Sequence, residues 1–298
     1  MGVLKEEVIN ETTINKSQYS PIKEFWKNWK RQKVAFSASL FVLLLIIIAF
    51  VGPYITPYDP YEPNYNSILQ GPSSSHLAGT DEYGRDIFSR LIYGTRISLS
   101  VSFISVFFGA VVGTILGLIS GFFGGFLDRI IMRSSDVMFA FPDIILAIAI
   151  IAILGPGLVN VVIAIAVFTV PSFARLIRGA TLEVKETVFV EAARSMGAKK
   201  TRIIYKHIFP ETFSSLMVFF TMRIGTAILA AASLSFLGLG ASPGTPDWGA
   251  MLTMGRDYLG TSSHVVIMPG IAIFLTVLAF NLVGDGLRDV LDPKTKNH

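Results

Sequence analysis

Residues Glu191 to Pro210 read EAARSMGAKKTRIIYKHIFP, and this stretch decides how the chain is laid out. It is polar, basic and helix-favouring, yet apolar runs lie on both sides of it. Glu191-Ala192-Ala193 opens a good helical segment, and Gly197 supplies the left-handed stop that such a segment needs. A second helical pattern follows from Ala198 to Phe209, with Ile204 and Ile208 four apart among Lys199, Lys200, Arg202 and Lys206. Pro210 keeps this pattern from running unbroken into the next apolar segment. A short helical elbow held outside the lipid is a handle for a partner.

The flanking runs set the class. Of 298 residues, 52% are hydrophobic and 15% charged, well short of the ~25% charge of an ordinary soluble domain. Several runs exceed the ~18 apolar residues that mark a membrane-spanning helix. The expected fold is all-α, a polytopic membrane protein of six transmembrane helices. Cysteine is absent, which excludes disulfides and thiolate metal sites. No basic face of a folded domain is visible for nucleic acid.

Residues 1–33 are polar and end in Lys23, Lys27, Lys30, Arg31 and Lys33 with Trp26 and Trp29 between them, which suits a helix at the lipid headgroups. The first span is expected at 34–51, retained as a signal anchor because no small-x-small cleavage pattern follows it. An extracytoplasmic excursion, 52–95, carries Pro53, Pro57, Pro60 and Pro63 and reads as irregular. Near its end Asp86 is expected to cap a short amphipathic helix that lays Ile87, Phe88, Leu91 and Ile92 on the bilayer surface. The charges here read either as local capping and pairing or as a docking site. Core residues 96–284 hold five further spans: about 97–120, 137–154, 158–177, 212–237 and 265–283. In the first of these, Gly109, Gly113, Gly117 and Gly121 stand four apart, a small-residue face for close helix packing. Pro171 is expected to kink the span at 158–177. The tail, 285–298, is polar.

Six spans place both termini on one side. The termini, the 121–136 turn and the 175–211 segment together hold twenty of the 25 Lys and Arg residues. The positive-inside rule therefore makes the termini and the elbow cytoplasmic.

No GxxxxGK[ST], HExxH or GxSxG occurs, and the four histidines stand singly. No catalytic residues and no metal ligands are expected, and the chain has no nucleotide loop of its own. Ion coupling would place carboxylates inside the membrane, whereas Asp143 and Asp285 sit near expected span ends. The deepest charge is Arg223, ~16 Å along its span from Thr212. Two readings stand for it: contact with a passing solute, or a structural pair with an acid of another subunit. Small residues in the same span, among them Ala227, Ala231 and Ser235, can line a passage or pack closely.

The EAA of Glu191–Ala193, Gly197 four residues later, and Ile208-Phe209-Pro210 resemble the cytoplasmic EAA loop (about 179–211) of ABC importer permeases. GTDEYGRDIFSRLIYGTRISLSV, FPDIILAIAIIAILGPGL, ASLSFLGLGASPGTPDWGAML and LTVLAFNLVGDGLRDVLDP resemble the second permease of dipeptide, oligopeptide and nickel importers. The resemblance covers about Lys30 to Pro293. It implies a type I importer permease fold, in a prokaryotic cytoplasmic (inner) membrane, with Glu191, Ala192, Ala193, Gly197, Ile208 and Pro210 coupling to an ATPase. It implies a homologous second permease, two cytosolic ATPases that hold ATP and Mg, and an extracytoplasmic solute-binding protein. The cargo implied is a dipeptide or oligopeptide, glutathione or a nickel complex. Phe209 departs from the family's usual Leu, and Ala231 stands where many peptide-branch relatives carry Glu. An ion-coupled carrier working alone is the alternative.

Overall fold

The structure is a computed structural model and describes residues 21–291. Expectations for residues 1–20, and for the tail from residue 292, lie outside the described residues. Eleven α-helices are named among the described residues: α1 Pro21–Arg31, α2 Lys33–Ile55, α3 Ile87–Phe123, α4 Gly125–Phe139, α5 Asp143–Leu154, α6 Leu158–Lys185, α7 Val188–Ser195, α8 Lys200–Ile203, α9 Phe209–Phe236, α10 Trp248–Gly255 and α11 His264–Leu291. The fold is all-helical. Five helices are long and apolar enough to cross a membrane, and six if α4 and α5 count as one broken span.

That break corrects the expected straight span at 137–154. Phe141-Pro142 interrupts the helix, since Pro142 has no N–H to continue the ladder, and α4 and α5 meet at 93°. The chain still changes ends. At α4, Asp128 takes both Nε (2.6 Å) and Nη2 (2.8 Å) of Arg178, while beyond α5 the Gly157 N–H donates to the Leu239 carbonyl at the opposite end. Asp143, expected near a span end, begins the second half of this broken span instead.

Two boundaries also move. The first span runs on through Pro53 to Ile55, longer than 34–51, and only 56–86 of the excursion lies outside α-helix before α3, with a 3-10 turn at Tyr65–Ser67. Asp86 does act as a cap, accepting from the Ser89 N–H at 2.7 Å. It starts no short surface helix, however. The helix it caps is 37 residues long, and Ile87 is fully buried. The charges around it turn inward: Asp81 pairs with Arg85 at 2.7 Å, and Arg90 donates to the carbonyls of Pro60 (2.6 Å) and Gly244 (3.2 Å).

Arg90 thereby ties the 56–86 excursion to a second one, residues 237–263, and the two form a cap over one end of the bundle. Ser98 donates to Asp247 at 2.9 Å, Asp247 caps α10, and the buried Trp248 indole donates to the Leu91 carbonyl at 3.1 Å. His76 joins Asp86 at 3.0 Å, and His264 meets the Thr80 carbonyl at 3.1 Å. Burial, and Asp81 beside it, push the Glu82 carboxyl up from its ordinary range.

Below the cap, α3 lies along α6. Gly113 faces Phe173, where a methyl group would come within 2.5 Å of Phe173 Cβ. Gly109, Gly117 and Gly121 face Thr169, Ile177 and Thr181 in the same way, so the whole glycine face is turned onto α6. Without side chains in that seam the two backbones approach closely along their length, and dispersion replaces the absent hydrophobic drive in lipid. Pro171 lies buried inside α6.

Candidate coupling elbow and membrane-facing clefts

Helix α7 is eight residues long, and its two faces differ. Val190 and Ala193 are buried, whereas Glu191 and Ala192 are exposed. Val188, Ala192 and Met196, spaced four apart, form an outward stripe in which Val188 is 82% and Met196 81% exposed. Gly197 ends the helix at φ +78°. Around it the Ala198 N–H returns to the Ala193 carbonyl (3.1 Å) and the Gly197 N–H to Arg194 (3.0 Å). This paired hydrogen bonding is the Schellman stop, and it reverses the chain within two residues.

Beyond the stop, α8 leads into a π-helical turn, Ile204–Ile208, and then into α9. Pro210 was expected to keep the helical pattern from running unbroken into the next span. The helical path instead continues from Lys200 to Phe236. The ring of Pro210 would clash with the carbonyl four residues back in a regular helix, and the widened π turn accommodates it. Ile208 is buried, and Tyr205 stands out of the turn.

Helix α9 carries the other expected site residues. Ala227, Ala231 and Ser235 are all buried. Ser235 lies against Gly249 of α10, and Thr253 donates to its carbonyl at 3.2 Å. The open face of α9 is instead Glu211, Ser215, Val218, Met222, Thr226, Leu229, Ser233 and Phe236, a stripe with three- and four-residue spacing. Two clefts follow it. Near the elbow, about 680 Å³ is bounded by residues that include Glu183, Glu211, Ser214, Ser215 and Arg288. Toward the cap, about 610 Å³ is lined mostly by apolar groups such as Leu229, Phe236, Ile273 and Phe274. Residue type alone does not pick out this stripe. The only sequence signal for it is the helical spacing of Glu211, Ser215, Thr226 and Ser233.

Arg223 is partly buried on the flank of that face. Its Nη2 donates to Ser172 of α6, its Nη1 lies 4.0 Å from Asp143 of α5, and its guanidinium sits 5.4 Å from the Phe219 ring centre. The nearby acid thus belongs to the same chain. No group of three His, Cys, Asp or Glu residues able to hold a metal occurs among the described residues.

The sequence and the fold both have counterparts among known proteins. The family model "Binding-protein-dependent transport system inner membrane component" matches residues 113–297, and that for the N-terminal TM domain of oligopeptide transport permease C matches 20–72. The chain belongs to the binding-protein-dependent transport permeases. Over 284 residues this permease is 56% identical to the glutathione transport system permease protein GsiD of Pectobacterium atrosepticum, covering 95% of this chain and 94% of that one. It is 58% identical over 278 residues to GsiD of Salmonella typhimurium, covering 93% and 92%. Inward facing structures of the MetNI methionine ABC transporter include a chain 25% identical, with a TM-score of 0.57 over 68% of this permease and 97% of that chain. An amino acid ABC transporter crystallised with histidines shares the fold alone, at 17% identity and a TM-score of 0.52, covering 66% of this permease and 92% of that chain. The permease therefore has the type I fold and is the membrane-spanning subunit of an ABC importer.

Proposed function

We propose that this permease forms one half of an ATP-driven uptake pathway for small peptides. The observation that carries the reading is α7: a stopped, two-faced helix outside the bundle that holds Val188, Ala192 and Met196 in the open beside Glu191. Large apolar side chains exposed on a segment that neither lipid nor core covers fit a protein partner. The chain has no nucleotide loop, so the partner that suits the elbow is a cytosolic ATPase. Two such subunits would hold ATP and Mg. A homologous second permease would close the pathway against the open face of α9, and a solute-binding protein would deliver cargo to the cap. The excess of Lys and Arg on the elbow side supports a cytoplasmic position for the termini and elbow.

Nucleotide binding draws the two ATPases together and moves the elbows with them. The bundle turns outward, takes solute, and returns when ATP is hydrolysed. Solute and nucleotide thus bias one two-state body from opposite sides. The relatives named for glutathione transport support glutathione, or a peptide of similar size, as cargo.

The test is uptake of labelled glutathione by membranes that hold the whole transporter. Glu191→Arg and Gly197→Pro should abolish uptake with normal membrane abundance. Met196→Asp should release the ATPase subunits on purification. Unchanged uptake and a retained ATPase in all three variants would refute the coupling role.

A further inference from the structure

We infer that Arg223 is a binding point for a carboxylate of the transported solute, an inference that rests on the importer reading above. A guanidinium carries five N–H donors in a fixed fork. At Arg223 one of them meets Ser172, Nε is buried with no partner, and the nearest carboxylate oxygen stands 4.0 Å away. Other arginines of the chain are satisfied more fully. Arg178 makes two bonds to Asp128, and Arg90, whose Nε likewise lacks a hydrogen-bond partner, holds three carbonyls and lies 3.4 Å from Asp81. Arg223 is therefore a cation kept part-way across the membrane without a closed ion pair, an arrangement that favours an incoming anion.

Two clefts open beside it. The Arg223 side chain is 18% exposed and that of Asp143 is 49% exposed, so Asp143 keeps much of its solvation. Phe219 and Met222, beside Arg223, line the cleft toward the elbow. Ile144, next to Asp143, lines the cleft toward the cap. Arg223 stands between the two, where a solute passing from one to the other would meet it. The fork matches a carboxylate in a bidentate way, and Asp143 takes the guanidinium back once the solute has left. The solute class is any small peptide with a free carboxylate.

The experiment uses the complete transporter in proteoliposomes, with labelled glutathione and labelled alanyl-alanine as probes, and compares Arg223→Gln, Asp143→Asn and the double variant. Arg223→Gln should lower maximal uptake about tenfold or more, the worth of one charge-assisted hydrogen bond. Asp143→Asn should transport at least as fast as the unaltered protein. The double variant leaves no unpaired charge, and it should stay as slow as Arg223→Gln. If it recovers to the level of Asp143→Asn, the pair is only structural and the inference is overturned. A loss of uptake in Asp143→Asn overturns it too, and decides the matter should Arg223→Gln fail to accumulate. Absence of ATP-driven uptake by the unaltered transporter overturns the importer reading itself.

Discussion

Glu82 shows how burial sets a single group's behaviour. Its carboxyl is held up by desolvation and by Asp81, so the folded state favours the protonated form. The charged form therefore penalises stability in full above the raised folded pKa, and the penalty fades as pH falls from there to the unfolded value. Glu82→Gln is expected to raise the melting temperature at pH 7 by about 1–3 °C, with no gain near pH 4. Thermal scans of the purified protein at both pH values check this. At the same scale, the short helix and its stop were legible because Gly197 and the EAA run leave a local signature. The open face of α9 was not. Ala227, Ala231 and Ser235 are as small as a passage requires, but small residues also allow close packing, and here they are buried. Which side of a helix stays open depends on neighbours that composition does not name.

Among the elements, the seam between α3 and α6 is the most exacting. Gly113→Leu forces a side chain into space held by Phe173 and the Val170 carbonyl, and overpacking of this kind costs about 1–3 kcal/mol. Lower detergent-solubilised yield and a lower melting temperature than for Gly270→Leu, which has nothing within 4 Å, are the expected outcomes. The four-residue glycine spacing made the small-residue face visible beforehand, though not its partner helix. The broken span was the reverse case. Hydropathy averaged over residues 137–154 hides Phe141-Pro142, and a stretch of that apolarity reads as straight until the backbone is seen.

For the molecule as a whole, the cap is the feature with the longest reach. Arg90 draws on the 56–86 excursion and on the carbonyls of Gly244 and Thr245 at once. Arg90→Met should leave several buried carbonyls unpaired and destabilise the cap by about 3–5 kcal/mol. Proteolysis within residues 56–86 at a temperature where the unaltered protein resists cleavage is the measurement. Five of the six expected crossings, and their order, were legible from hydropathy as unbroken helices. That two distant excursions share one guanidinium was not, because neither segment has a regular period.

The unbroken path from Lys200 to Phe236 has a mechanical consequence. Thirty-seven residues make a strut about 55 Å long, carrying the elbow at one end and meeting the cap at the other. A strut cannot shorten, so a push at the elbow can only pivot it. The widened turn at Ile204–Ile208 departs from regular α-helix, so a load carried along the strut would be taken up there first as bending.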